Sequence, residues 1–173
     1  MELIHLQSVT GKAFLLGDDV NTDLHCSGKY LPGKSVEQIA MVAFDGVSPG
    51  LSKNILAAQG GILVAGENFG INSSREQAVQ ILKMMQVKGI IAKSFGRQFF
   101  RNAINNGLAI LECDTAAIKA GDDLNVNFQS GLVQTAGGLH LEANRLPAEI
   151  LVLIECGGLI PFLRKHPDWK FST

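Results

Sequence analysis

A mixed α/β fold is expected for this chain, with a parallel α/β middle and a β-rich C-terminal portion. Two observations predict it. Apolar runs at 61–65, 89–93 and 108–112 alternate with amphipathic segments at 77–86 and 96–106. That β-α-β-α-β order is the order of strands paired in parallel. From residue 124 onward the pattern changes to short alternating segments parted by Gln129-Ser130-Gly131, which reads as half-buried antiparallel strands.

The elements follow in order. Short strands are expected at 2–6 and 12–16, then a polar loop at 17–23 rich in turn formers and carboxylates. Helices are expected at 36–44 and 51–59, parted by the breaker Gly46-Val47-Ser48-Pro49-Gly50. The run Gly61-Ile62-Leu63-Val64-Ala65 is a strand, and a glycine-punctuated loop leads from it into the helix at 77–86. Ser73 and Glu76 stand at capping-box spacing, which makes Ser73 the expected N-cap. Arg75 then falls in the first turn, where a cation works against the helix dipole.

The strand at 89–93 leads to a helix at 96–106, with Gly107 as its stop, and a third strand at 108–112. A short helix is expected at 115–120, and strands at 124–128, 132–135 and 139–141. Pro147 opens a helix at 148–156, Gly157-Gly158 breaks it, and a last helix covers 159–165. No repeat or long linker interrupts this order, so one domain spanning 1–173 is expected.

Composition bounds the function. Hydrophobic residues make up 46% and charged residues 18% of the 173, a surface poor enough in charge to suggest either a partner covering part of it or a compact monomer. Fifteen basic against sixteen acidic residues leave a formal charge of −1, with no basic field for nucleic acid. Cys26, Cys113 and Cys156 form no C-x-x-C pair, and an odd count argues for reduced thiols rather than a disulfide framework. Neither a signal-peptide pattern nor an apolar run of membrane-spanning length is present, so a cytoplasmic protein without a membrane partner is expected.

Three polar groups bear on chemistry. Asp18, Asp19 and Asp23 form the first, without the Asp-x-Asp-x-Asp-Gly spacing of a calcium loop; a solvated turn is their plain reading. The second is Gly66-Glu67-Asn68-Phe69-Gly70-Ile71-Asn72-Ser73-Ser74-Arg75-Glu76. It lacks the Gly-Lys-Ser/Thr of a Walker loop and the G-x-S-x-G of a nucleophile elbow. What it offers is an anion site at a helix start, with a hydroxyl beside a guanidinium fork that fits a carboxylate. The third is Arg97 and Arg101, four apart on one helix face, a solvated basic face or an interface.

At these residues the chain resembles the small subunit, or swivelling β/β/α domain, of the aconitase and isopropylmalate isomerase hydro-lyases. Gly17-Asp18-Asp19-Val20-Asn21-Thr22-Asp23 is similar to that family's Gly-Asp-Asn-Val-Asp-Thr-Asp block, continued by Gly28-Lys29-Tyr30-Leu31. Asn68-Phe69-Gly70, with Ser73-Ser74-Arg75-Glu76, resembles its Asn-Phe-Gly-x-Gly-Ser-Ser-Arg-Glu signature. Ser94-Phe95, Arg97 and Arg101-Asn102 through Gly107-Leu108 match a third block, and Gly157-Gly158-Leu159 resembles the closing helices.

The resemblance implies a catalytic subunit that acts only with a large partner subunit, whose 4Fe–4S cluster binds the substrate. No cofactor or metal is implied in this chain, which lacks the clustered cysteines an iron–sulfur cube needs. Ser73 would be the general base that removes the proton next to a carboxylate of a small di- or tricarboxylate. Its alkoxide would be stabilised by the helix N-terminus, adjacent N–H groups and Arg75. Ser74 and Arg75 would hold substrate carboxylates, and Asp23 would orient the site.

The pattern is departed from at several positions. Asn72 replaces a glycine, Ile71 a common cysteine, Ser27 a proline, Gly96 an alanine and Ala109 a proline. Asparagine tolerates left-handed backbone, so the signature loop is expected to survive. Pro32, Gly33 and Lys34 follow Tyr30-Leu31 where an arginine would mark a homoaconitase, which favours an apolar side arm such as that of 3-isopropylmalate; Lys34 is still able to reach a carboxylate. Homoaconitase, citraconate or dimethylmalate hydratase subunits, and a non-catalytic carboxylate-binding module, are the alternatives.

Overall fold

The computed structural model describes residues 8–26 and 33–171. The strand expected at 2–6, and the positions Ser27, Tyr30, Leu31 and Pro32, lie outside the described residues. Seven strands form one sheet. They are β1 (Val9–Leu15), β2 (Gly61–Ala65), β3 (Val87–Ala92), β4 (Ile110–Glu112), β5 (Asp123–Asn127), β6 (Leu132–Thr135) and β7 (His140–Glu142), ordered β4-β3-β2-β1-β5-β6-β7. The helices are α1 (Thr22–His25), α2 (Val36–Ala40), α3 (Leu51–Ala57), α4 (Gln77–Met84), α5 (Arg97–Asn105), α6 (Ala148–Glu155) and α7 (Leu159–Lys165).

The expected parallel middle is present: β1 through β4 run parallel, with Phe14 opposite Leu63, Leu63 opposite Ile90, and Ile90 opposite Ile110. Every residue of β2 is buried, as a strand covered on both faces requires, and this is why its sequence is an unbroken apolar run. Each fully buried Ile or Leu there contributes about 1.5–3 kcal/mol by leaving water. The β-rich C-terminal portion is an extension of the same sheet. β5 pairs antiparallel with β1, Val9 opposite Val126, and alternates buried with exposed residues.

Three local expectations are corrected. The helix at 36–44 stops at Ala40, because buried Phe44 takes a left-handed backbone (φ 65°) and donates its N–H to the His25 carbonyl at 3.2 Å. No helix forms at 115–120. There the Asp114 carboxylate accepts from the Ala116 N–H, the buried Thr115 hydroxyl donates to the Ala65 carbonyl at 2.7 Å, and the Gly121 N–H reaches Ala13. Bonds to β1 and β2 replace the helical ones. The third correction concerns the start of α4 and belongs to the site.

Because β1, β2, β3 and β4 are parallel, the segments leaving their carboxyl ends gather at one edge of the sheet. Those segments hold Asp18 to Asp23, the signature loop and Ser94-Phe95-Gly96, beside Glu112 at the end of β4. The positions that resemble the family's blocks are thereby brought together.

Candidate active site

The site forms where the segment after β1 meets the loop after β2. The Asp18 carboxylate accepts from the Glu67 N–H at 2.7 Å, and the Asp19 carboxylate accepts from the Asn68 side-chain amide at 2.8 Å. The Asp19 N–H donates to the Glu67 carbonyl at 2.8 Å. These two aspartates are exposed in a bend, as a solvated turn would have them, and they also clamp the two loops together. Asp18 and Asp19 thus hold the start of the signature loop, and Asp23, in α1, is the acid of the three that meets Ser73. Asn21 caps α1 through the Leu24 N–H at 3.1 Å and fixes where Asp23 stands.

A layer of aromatic rings supports the loop from below. Phe69 and Phe99 are fully buried and meet edge to face at 5.1 Å, with Phe95 6.0 Å from Phe69. The Asn68 N–H donates to the Ser94 hydroxyl at 2.8 Å, and Phe69 pairs with Phe95 as a short parallel bridge. Gly96 lies so near the loop that a Cβ there would stand 2.6 Å from the Gly70 carbonyl oxygen. That close approach leaves no room for a side chain at position 96 unless the loop shifts. Asn72 takes the left-handed backbone at φ 58°, as expected of a residue replacing glycine.

Ser73 is 2% exposed, and its hydroxyl donates to Asp23 Oδ1 at 3.0 Å. Arg75 Nε stands 4.0 Å from Asp23 Oδ2, with the two side chains 50% and 29% exposed. One carboxylate thus touches both Ser73 and Arg75. Its charge also adds to burial in pushing the thiol of buried Cys26 well above the ordinary range. The capping box is absent: Glu76 is the N-cap of α4 and makes no side-chain cap bond. Asp23 holds the hydroxyl that would have capped, and the helix begins at Gln77, so Arg75 precedes the first turn instead of sitting in it.

This arrangement has a chemical consequence. A carboxylate hydrogen-bonded to Ser73 makes the serine a donor and disfavours an isolated alkoxide beside it, contrary to stabilisation by a helix start alone. The same geometry gives the serine proton an acceptor.

Ser74 and Arg75 are exposed. The N–H groups of Ser74, Arg75 and Glu76 donate to no acceptor among the described residues. Together with the Ser74 hydroxyl and the Arg75 fork they form a donor-rich edge suited to a carboxylate. Asn102, to which the third block assigned no individual role, donates its side-chain amide to the Ser74 carbonyl at 3.3 Å. Its place in the third block, one helix turn before Asn106, was the available signal; the Asn106 amide in turn donates to the Asn102 carbonyl at 2.9 Å. Lys34 is exposed just ahead of Ser35, the N-cap of α2, and forms no ion pair among the described residues.

No group of three or more His, Cys, Asp or Glu among the described residues could hold a metal ion. Cys26 and Cys113 are buried and Cys156 half-buried, all as free thiols. These residues do not fit an iron–sulfur cluster, whose ligands are clustered thiolates. No described helix is long and apolar enough to cross a membrane.

Comparison with known proteins places this geometry. Residues 50–116, which include the signature loop and α5, match the aconitase C-terminal domain. The chain is 44% identical over 157 residues to the 3-isopropylmalate dehydratase small subunit of Methanosarcina mazei, covering 90% of this chain and 96% of that protein. It is 41% identical to 3-isopropylmalate dehydratase small subunit 1 of Archaeoglobus fulgidus, over 89% of this chain and 96% of the relative. The crystal structure of 3-isopropylmalate dehydratase from Methanocaldococcus jannaschii superposes with a TM-score of 0.84 at 34% identity, covering 92% of this chain and 95% of the other.

Proposed function

The chain belongs to the family of 3-isopropylmalate dehydratase small subunits, and we propose that it works in the cytoplasm with a large subunit that carries the 4Fe–4S cluster, dehydrating or isomerising 3-isopropylmalate. The observation that carries the mechanism is the Ser73–Asp23–Arg75 chain of contacts.

In this reading Ser73 Oγ takes the proton from the carbon next to a substrate carboxylate while its own proton passes to Asp23 Oδ1. The relay removes the need for a free serine alkoxide, which water-like basicity would otherwise forbid. Arg75 offsets the charge of Asp23 and keeps part of its guanidinium open to solvent, where it holds a substrate carboxylate together with Ser74 and the free N–H groups beside it. The partner's cluster would supply the Lewis acid for loss of the hydroxyl. Lys34 is assigned to the substrate's outer side, on the segment that follows residues 27–32.

The test is reconstitution. The chain alone is expected to be inactive and to dehydrate 3-isopropylmalate when mixed with the cluster-loaded large subunit of its own organism, followed by ultraviolet absorbance of the unsaturated acid. A mixture active on citraconate or dimethylmalate hydration and inactive on 3-isopropylmalate would replace the substrate assignment. An isolated chain that binds a dicarboxylate and forms no complex would make it a binding module.

A further inference from the structure

Arg97 and Arg101 take no part in the site described above. They stand one turn apart on the exposed side of α5, over the buried Phe99, Ala103 and Ile104. No ion pair among the described residues includes either. Arg97 is the first residue of the helix, and no acid shares that turn, so its charge faces the positive end of the dipole. Arg101 adds like-charge repulsion across one turn. Both unfavourable terms relax when an anion joins the two guanidiniums.

Beside them is a notch of about 200 Å³, lined by Phe95, Arg97, Phe100, Arg101 and Glu112. Phe95 and Phe100 are half-buried and meet edge to face at 6.1 Å, so part of its wall is aromatic. Glu112 is its one acid, and Glu112 Oε2 accepts from the Asn144 amide at 3.3 Å instead of pairing with an arginine. Two cations against one anion favour a single added carboxylate over a free di- or tricarboxylate. Arginine among aromatic rings is also the composition of an interface anchor. The notch belongs to the rim of the candidate site, because Phe95 bridges to Phe69 and Asn102 of the same helix holds the Ser74 carbonyl.

We infer that this notch docks the large subunit, receiving one acidic side chain of that partner between Arg97 and Arg101 and packing its apolar neighbours against Phe95 and Phe100. The inference rests on the proposed function, since it takes the cluster-bearing subunit as the occupant. It gives the third sequence block a role in assembly, next to a site the two proteins complete together.

The experiment is titration of the cluster-loaded large subunit with this chain by isothermal calorimetry at two salt concentrations, alongside turnover at saturating chain. In Arg97→Ala with Arg101→Ala, Kd is expected to rise by roughly 30-fold or more, as for truncating one side of a desolvated charge pair. Its salt dependence should flatten, and kcat at saturation should stay within about twofold because no group at the reacting atoms changes. Arg97→Lys with Arg101→Lys keeps the charge and should recover part of the affinity, which separates docking from misfolding. Unchanged Kd and salt dependence in the alanine pair would overturn docking while leaving the proposed function intact. A fall in kcat with Kd unchanged would overturn it by moving both arginines to the substrate. A wild-type chain that binds no large subunit would instead defeat the proposed function itself.

Discussion

Asp23 is the group whose removal tests the site most directly, because Ser73 and Arg75 meet only through its carboxylate. Asp23→Ala leaves the Ser73 hydroxyl, 2% exposed, without its acceptor. A buried donor left unpaired costs about 1–3 kcal/mol. The Arg75 contact at 4.0 Å is half exposed and screened, so it adds about 0–1 kcal/mol. For a chain of this size each kcal/mol lowers Tm by about 2–4 °C, and the total is a fall of roughly 2–16 °C. Ser73→Ala removes the donor itself, and a carboxylate 29% exposed can be satisfied by water, so its stability cost stays near or below about 1 kcal/mol. Ser73→Ala and Asp23→Ala together should cost less than their sum by about 1 kcal/mol.

Turnover should order differently. Asp23→Asn keeps the shape and loses the proton acceptor, and Ser73→Ala loses the relay, so each should lower kcat by about 10²–10⁴ in the reconstituted enzyme. The double variant should be little worse than either single one, because the two residues act as a unit. The assay is initial rate at saturating large subunit, with thermal melting of each variant as the control. Losses that multiply in the double variant, or near-normal turnover in Asp23→Asn, would refute the relay.

Two further outcomes follow from packing and ionisation. Burial pushes the Cys113 thiol from 9.0 up to about 11 and raises Cys26 as well, so the folded chain holds protons that the unfolded chain releases. Stability is then fully present below about pH 9 and falls as pH rises toward 11. Burial lowers His25 from 6.5, so the unfolded chain binds the extra proton and stability also falls as pH drops below that value. Tm measured against pH should show a plateau between these limits, and Cys113→Ala should flatten its alkaline side; an unchanged alkaline slope would remove Cys113 as the cause. Gly96→Ala, which brings a Cβ to 2.6 Å from the Gly70 carbonyl oxygen, should cost about 1–3 kcal/mol and displace the signature loop, lowering Tm and kcat together. Unaltered melting and turnover would show that the loop yields freely.

The elements that were legible in the sequence are those whose burial is uniform. β2 reads as an apolar run because both its faces are covered, and β5 reads as alternation because one is not. The segments that misled are those whose backbone groups pair outside their own element. Residues 115–120 have a helix-like composition, yet Thr115 and Gly121 bond to Ala65 and Ala13 on neighbouring strands. Phe44 ends a helix early because its ring is buried at a positive φ, a tertiary demand with no local signature.

Ser73 shows the same conflict at the site, and there it carries information. Sequence spacing offers its hydroxyl a local use, capping α4 with Glu76 three residues on. The fold offers Asp23, fifty residues back, and the hydroxyl takes the distant partner at 3.0 Å. A cap given up in this way costs helix stability, about 0.5–2 kcal/mol at an ordinary N-terminus. The compensating bond is to a charged acceptor, which is worth about 1.5–3 kcal/mol when buried. The exchange is therefore favourable or neutral for folding, and it leaves Ser73, Ser74 and Arg75 ahead of the helix instead of inside it. Two of the three N–H groups left without acceptors belong to Ser74 and Arg75. Had the capping box formed, the Ser73 hydroxyl would have been bound to the helix backbone, and the carboxylate of Asp23 would have had only Arg75. The departure from local rules at Ser73 is thus what places a proton donor, its acceptor and a cation in one continuous line.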